Sequence, residues 1–194
     1  MTTSTLDRRE ILPHLFPNPG DYLFISGLAG PARDTAALTG DGGNLFTMAG
    51  TMGAAVSMGL GVALSTPESQ VAVITGDGEL LMNIGSLATI SSMQPDNLSI
   101  VCIDNGCHGE TGGQPGHTSR KTDLAKMAEG AGIVSVKTID RPEDAGDAAA
   151  FLQESAGPRF LLVRVMQGAP TEFKRNLDPA ACRLRFRNAY LASV

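Results

Sequence analysis

Asp77 stands between two glycines, Gly76 and Gly78, and Asn105 ends the next apolar run, all within the stretch VAVITGDGELLMNIGSLATISSMQPDNLSIVCIDN from Val71 to Asn105. A carboxylate and an amide oxygen suit a hard divalent cation. Mg²⁺ takes oxygen ligands in octahedral geometry and is usually held by one or two protein groups together with phosphate oxygens. The flanking glycines let the backbone approach a phosphate closely. A helix opening at Glu79 would turn free N–H groups and its positive dipole end toward that anion. Gly-Asp-Gly alone is an ordinary turn sequence. Its meaning here comes from context: a strand end, then helix and strand over residues 79–104, then Asn105. A carboxylate beside an anion is repelled, so Glu79 is expected to contribute its backbone N–H while its side chain points away.

Asp77 and Asn105 can meet only if a scaffold sets two strand ends side by side. Apolar runs at Tyr22 to Ser26, Val71 to Thr75, Leu98 to Ile103, Ile133 to Thr138 and Phe160 to Val165 read as buried parallel strands, being nearly continuous in Val, Ile and Leu. Helices are expected between them, at Thr51 to Ser65, at Glu79 to Met93, and at Thr122 to Ala131 with Ser119 or Thr122 as cap. Another should follow an Asp140/Glu143 capping box with Pro142 in its first turn. The βαβα order implies an α/β fold: a single three-layer domain with an open parallel sheet flanked by helices, whose ligands bind beyond the carboxyl ends of the strands. The single domain spans 1–194, with its core over about 24–166 and a helical tail over 170–194. That tail is expected to close against the sheet or another subunit, with Arg183, Arg185 and Arg187 forming a solvated face. Gly40 to Gly43 and Gly109 to Gly116 are loops.

A chain of 194 residues with 42% hydrophobic content can bury one core but is too short for two full cofactor-binding domains. Fifteen Lys and Arg against 20 Asp and Glu give a formal charge of -5, which excludes the basic footprint of a nucleic-acid or anionic-membrane binder. Cys102, Cys107 and Cys182 have neither disulfide parity nor zinc-ligand spacing, so reduced thiols in a cytoplasm are expected. The opening MTTSTLDRREILPHLF has no signal-peptide apolar stretch, and no run is long enough to span a bilayer.

The Gly76-Asp77-Gly78 to Asn105 pattern resembles the diphosphate-binding motif of thiamine diphosphate (ThDP) enzymes in type, spacing and context. Upstream, Ala49-Gly50-Thr51-Met52-Gly53 followed by AAVSMGLGVAL looks like the turn and helix of the same domain. Downstream, DNGCHGETGGQP and TDLAKMAEGAGI are similar to the decarboxylases of phosphonopyruvate and sulfopyruvate. The resemblance, covering roughly Phe24 to Met166, implies ThDP and Mg²⁺ as cofactors. Asp77, Asn105 and the backbone carbonyl of Cys107 would hold the metal, and Gly76, Gly78 and Glu79 would lie against the diphosphate. The Gly50 carbonyl would accept from the 4′-amino group of the cofactor pyrimidine. Thr51 would lie beside it, and Met52 would be the bulky side chain wedged under the bent cofactor. Outside that frame Met52 would read as a core gap-filler. His108, just past the metal ligand, is the candidate catalytic residue, although loop histidines are more often solvated or structural. His117 and Glu110 have weaker claims. No His and carboxylate set surrounds Cys107, so its thiol is expected to be inert.

The resemblance also implies a partner. In the family a glutamate that activates the cofactor sits on a second, pyrimidine-binding domain, and this chain has no room for one. Either a separate α-type subunit supplies that glutamate, in an α2β2 or larger assembly with sites at the interfaces, or the chain is a fragment of a longer protein. The N-terminal Met and the tail beyond Val165 favour a separate gene product. The chain would then be the β-type subunit of a 2-oxo acid decarboxylase. Two alternatives are a carboligase or lyase of the acetolactate synthase kind and a non-catalytic ThDP- or nucleotide-binding module. A Rossmann dehydrogenase is a weaker rival, because no G-x-G-x-x-G opens a helix after the first strand.

Overall fold

The computed structural model describes residues 4–169 and 171–193. Met1, Thr2 and Thr3 at the expected chain start, and Pro170 and Val194 of the expected tail, lie outside the described residues. Along the chain run α1 (Arg8–Leu15), β1 (Tyr22–Ser26), α2 (Ala29–Thr39), β2 (Leu45–Thr47), α3 (Ala55–Ser65) and β3 (Gln70–Gly76). Then come α4 (Asp77–Met82), α5 (Ser86–Met93), β4 (Leu98–Asp104), β5 (Cys107–His108), β6 (Gln114–Pro115) and α6 (Leu124–Gly130). β7 (Ser135–Ile139), α7 (Ala145–Glu154), β8 (Arg159–Arg164) and α8 (Pro179–Ser193) complete the fold.

Six strands form one sheet in the order β2-β1-β3-β4-β8-β7, with every neighbouring pair parallel. Burial on both faces explains the unbroken apolar runs. Phe24, Ile74, Val101 and Val163 point to the face covered by α1, α2 and α7, where they meet Leu12, Ala36 and Leu152. Ile25, Val73, Ile100 and Leu162 point to the other face and meet Leu60, Leu87 and Ala128 of α3, α5 and α6. The three-layer α/β expectation is met. The strand order reverses between β1 and β3, because the chain leaves β1 for β2 on one side and returns to β3 on the other. That switch point opens a crevice at the carboxyl ends of β1 and β3.

Several boundaries differ from the expected ones for local reasons. The helix expected from Thr51 starts at Ala55, because Gly50 and Gly53 hold φ of 98° and 80°, outside the helical region. The single helix expected over Glu79 to Met93 is two helices. Asn83 leaves the helical path, and its amide donates to the Gly53 carbonyl (2.9 Å) and lies 3.3 Å from the Ser57 hydroxyl. Asp123 caps α6, accepting from the N–H groups of Ala125 and Lys126 (3.1 and 3.2 Å), in place of Ser119 or Thr122. The Asp140/Glu143 capping box does not form. Pro142–Asp144 is a single 3-10 turn, Arg141 reaches Asp144 (3.3 Å) and Glu143 (3.6 Å), and α7 begins only at Ala145. Gly132, at φ 97°, closes α6 and draws Ile133 into its C-terminal turn, so β7 begins at Ser135. The strands β2, β5 and β6 and the helices α1 and α2 were not anticipated, and β6 lies within the stretch Gly109 to Gly116 expected to be a loop.

The tail helix α8 packs on the sheet edge. Cys182 is buried beside Thr47, and Phe186 meets Phe46 edge-on with centroids 5.7 Å apart. Arg185 departs from the expected solvated face: it reaches across to Asp41 at 2.7 Å, whereas Arg183 and Arg187 are exposed.

The helix α3, which carries the Gly50–Gly53 turn toward the crevice, lies so close to β3 that a Cβ on Gly59 would fall 2.2 Å from the Val73 Cγ2. Replacing Gly59 with Ala should therefore destabilise the fold by about 1–3 kcal/mol, as overpacking does. This should hold despite alanine's better helix propensity. Urea unfolding of the variant against the parent reads the difference.

Candidate functional site

The register of β3 against β4 pairs Gly76 with Ile103, so Asp77 and the Asp104-Asn105 step leave the sheet side by side. A cleft opens there, lined from β1 and α2 by Leu28, Ala29, Gly30 and Pro31 and from β3 and α4 by Gly76, Asp77, Gly78 and Glu79. Asn105, Cys107, His108 and Glu110 line it from beyond β4, Met52 from the turn before α3, and Arg8 from α1. Of the residues singled out in the sequence, Gly76, Asp77, Gly78, Glu79, Asn105, Cys107, His108 and Met52 converge on this cleft. Gly50 and Thr51 sit in the exposed turn next to Met52 and do not line it. The cleft holds about 270 Å³, near the lower end of the roughly 300–1,000 Å³ usual for small-ligand sites.

Asp77, which lines the cleft, shares a hydrogen-bonding partner with Asp104. The Thr118 hydroxyl lies 2.7 Å from Asp104 Oδ1 and 3.0 Å from Asp77 Oδ2. A hydroxyl has one proton, so it serves only one of these contacts at a time. Burial first, and then the Asp104 charge, push the Asp77 carboxyl above its ordinary pKa, while the Thr118 hydroxyl and the Gly78 N–H pull part of the way back. Asp104 also accepts from the Gly106 N–H at 3.0 Å, and among the described residues no Lys or Arg is ion-paired with either carboxylate, so a cation would be stabilised here. Among the described residues no group of three or more His, Cys, Asp and Glu could hold a metal ion. A cation here would be bound by oxygen: the Asp77 carboxylate, the Asn105 amide oxygen and backbone carbonyl. The Asn105 Oδ1 already accepts from the Cys107 N–H (3.1 Å), which fixes the amide's orientation and leaves its second lone pair. That donor set fits Mg²⁺ with phosphate oxygens completing the shell.

The loop after Asn105 folds back as a two-strand ribbon in which Cys107 pairs with Pro115 and His108 with Gln114. The Gly116 N–H donates to the Gly106 carbonyl at 2.7 Å, bringing Thr118 over Asp77 and Asp104. His108 presses its ring on Gly78: a Cβ there would lie 3.3 Å from the His108 Cε1. His117 is edge-on to His108 with ring centroids 6.5 Å apart and does not line the cleft, whereas Glu110 does.

The Glu79 side chain has a structural partner that the sequence did not indicate. It turns inward toward the loop after β1, where Oε2 accepts from the Leu28 N–H at 3.1 Å. A Cβ on Gly27 would lie 1.6 Å from that oxygen, so only glycine admits it. Burial raises the Glu79 pKa, and the Leu28 N–H offsets part of the rise. Glu79 thus ties the loop leading into α2 to the start of α4. That role, Thr118 and Arg8 escaped sequence reading, because each depends on a long-range contact with no local signature.

Residues 44–163 match the family described as thiamine pyrophosphate enzyme, C-terminal TPP binding domain. The chain is 40% identical over 132 residues to the sulfopyruvate decarboxylase subunit beta of Methanocaldococcus jannaschii, covering 68% of this chain and 69% of that one. It is 36% identical over 170 residues to the phosphonopyruvate decarboxylase of Streptomyces viridochromogenes, where 87% of this chain spans 42% of the relative. Among solved structures, the 2-oxoglutarate:ferredoxin oxidoreductase of Magnetococcus marinus superposes with a TM-score of 0.65 at 15% identity, over 96% of this chain and 78% of that one, which is a likeness of fold.

A carboxyl whose pKa is raised by folding contributes stability that is present below its unfolded pKa and lost as pH rises through the folded one. Asp77 and Glu79 both shift in that direction. The metal-free chain should therefore lose stability as pH climbs from the ordinary carboxylate range. Asp77→Asn should remove part of that loss and raise the melting temperature near neutral pH by roughly 2–4 °C, as about 1 kcal/mol does in a chain of this size. Thermal unfolding against pH tests both statements. The Cys107 thiol is also held above its ordinary pKa, by burial first and then by the Asp77 charge, with Arg8 opposing. It should react with iodoacetamide at neutral pH more slowly than an unstructured cysteine peptide, as read by mass spectrometry.

Proposed function

The chain belongs to the thiamine pyrophosphate enzymes through their C-terminal TPP-binding domain, and on that premise we propose that it is the β-type subunit of a two-subunit, ThDP- and Mg²⁺-dependent 2-oxo acid decarboxylase. The substrate class is that of sulfopyruvate and phosphonopyruvate, named for the relatives above. The observation that carries this reading is that Asp77 and Asn105 leave adjacent strand ends and line one cleft, where Asp77 shares the Thr118 hydroxyl with Asp104. Asp77 and Asn105, with the Cys107 carbonyl, would hold Mg²⁺ against the cofactor diphosphate. The backbone at Gly76, Gly78 and Glu79 would approach the diphosphate oxygens.

When bound, ThDP supplies the electron sink that lets a 2-oxo acid lose CO₂. The chain's own residues anchor and orient. The Gly50 carbonyl would accept from the pyrimidine amino group, with Thr51 alongside, and Met52 would support the cofactor's bend. The Asn83 amide donates to the Gly53 carbonyl, so α4 and this turn move as one piece and the distance between the two cofactor contacts is held. His108, packed on Gly78 in the cleft, is the group of this chain placed to hold or move a proton near bound substrate.

A pyrimidine-binding α-type subunit would supply the activating glutamate and close the site, in an α2β2 or larger assembly. The relatives named beta subunits support this, as do two exposed methionines, Met52 in the cleft and Met82 near it. Met52 is 38% exposed and Met82, beside it across Gly53, is 65% exposed, and a partner surface would cover both. Among the described residues no helix is long and apolar enough to cross a membrane.

Calorimetric titration of ThDP with Mg²⁺ into this chain, alone and co-purified with a pyrimidine-domain partner, tests the reading. Binding should be weak alone, tight with the partner, and dependent on Mg²⁺. Asp77→Ala and Asn105→Ala should each abolish it while leaving the circular dichroism spectrum intact. Unchanged cofactor affinity in either variant would remove the central claim.

A further inference from the structure

Asp104 is buried beside the cleft, at 7% exposure, and holds none of the cofactor contacts described above. It ends β4, an interior strand of the sheet, where its backbone carbonyl accepts from the Val165 N–H at 2.9 Å, so strand pairing fixes where its carboxylate stands. In register it lies opposite Arg164 of β8, yet among the described residues no Lys or Arg is ion-paired with it. Its Oδ1 accepts from the Gly106 N–H at 3.0 Å, and the Thr118 hydroxyl stands 2.7 Å away.

Thr118 connects this carboxylate to the cleft. The same hydroxyl lies 3.0 Å from Oδ2 of Asp77 and is the one side-chain donor within reach of that carboxylate among the described residues. Asp77 lines the cleft, whereas Thr118 and Gly116 do not, so both stand behind the Asp77 carboxylate as seen from a ligand. Gly116 is packed against it: a Cβ there would fall 3.2 Å from Asp77 Oδ2 and 3.1 Å from the Gly106 carbonyl oxygen. The Gly116 N–H on the Gly106 carbonyl (2.7 Å) and the Ser119 hydroxyl on the Gly116 carbonyl (2.8 Å) close the loop at this point. Oδ2 is thus held from the rear. The Asp104 charge opposes the charge on Asp77, second only to burial, and a cation at Asp77 would remove that opposition.

We propose that Asp104 is a positioning residue for the divalent cation: through Thr118 it orients Asp77, and it adds a second negative charge behind the cation site without being a ligand. The cation rests on the functional reading above, and the role rests on the Asp104–Thr118–Asp77 geometry. Hydrogen-bond partners behind a metal ligand set affinity by fixing the ligand's orientation and basicity. A buried charge is screened little, so a carboxylate one hydroxyl behind the ligand still attracts the cation. The same charge repels Asp77 when the cation is gone. Asp104 therefore acts in opposite directions on the two forms of the chain, favouring the cation-bound one and disfavouring the cation-free one.

Asp104→Asn isolates the charge, because the amide keeps an oxygen for the Gly106 N–H and the Thr118 hydroxyl. Mn²⁺ is titrated into the ThDP-saturated complex with the pyrimidine-domain partner, and free Mn²⁺ is read by electron paramagnetic resonance. The variant should bind Mn²⁺ roughly tenfold or more weakly, the usual effect of altering a partner behind a metal ligand. The metal-free variant chain should melt no lower than the parent, which a merely structural aspartate would not allow. Unchanged Mn²⁺ affinity, or a lower melting temperature, overturns the proposal. Thr118→Val should also weaken Mn²⁺, and Thr118→Ser, which keeps the hydroxyl, should restore parental affinity. If Asp104→Asn does not fold, the Thr118 variants decide: equal Mn²⁺ affinity in the two overturns the proposal. A parent complex that takes up ThDP without a divalent cation, or takes up none, removes the functional reading and this proposal with it. Tight Mn²⁺-dependent ThDP binding in parent and variants alike leaves the functional reading standing and removes this proposal alone.

Discussion

Gly76 lies opposite Ile103 in the parallel pairing of β3 with β4, and everything at the cleft hangs on that register. It brings Asp77 out of the sheet beside Asp104 and Asn105, and burial there leaves two carboxylates competing for one Thr118 hydroxyl. A slip of one residue would turn each side chain of the strand to the opposite face. The two-faced core prevents that slip, because Ile74 and Val101 fit only the α1/α2/α7 side and Val73 and Ile100 only the other. Packing far from the cleft thus sets the geometry within it.

The molecule keeps several unfavourable features at this one edge. Asp77 and Glu79 are both buried with raised pKa values. Ala29 and Ala49 hold left-handed backbone at φ 63° and 47°, each a strain of about 1–2 kcal/mol. Both alanines follow the carboxyl ends of the first two strands, Ala29 as the first residue of α2 and Ala49 in the turn after β2. Strain of this kind persists only where surrounding structure over-determines it. Glu79 holds the loop before Ala29 and Asn83 holds the turn after Ala49, so one short helix, α4, braces both loops and carries the Asp77 motif at its start.

The same edge shows why the chain is one half of a site under the functional reading. The cleft is lined by Asp77, Glu79 and Asn105 and by the exposed Met52, and among the described residues its one lining Lys or Arg, Arg8, enters from α1. An exposed, flexible apolar side chain suits a surface that another chain covers.

The sequence by itself determined the layered α/β architecture, because apolar runs buried on both faces have few other solutions. It also marked Gly76, Asp77, Gly78 and Asn105, since a Gly-flanked acid at one strand end and an amide at the next are local patterns. Five strands were legible to within a residue or two, and the short β2 was not: three residues carry too little pattern. The break between α4 and α5 was hidden because Asn83 leaves the helix for the Gly53 carbonyl, a partner thirty residues away. Tertiary structure alone decided that Glu79 turns inward to Leu28, that Thr118 bridges two carboxylates, and that Arg185 pairs with Asp41 when a solvated face was expected. It also set Arg8 over Gly30, across more than twenty residues of intervening chain. Propensity and periodicity report a residue's neighbours along the chain, whereas a buried charge is placed by whatever partner the fold brings to it.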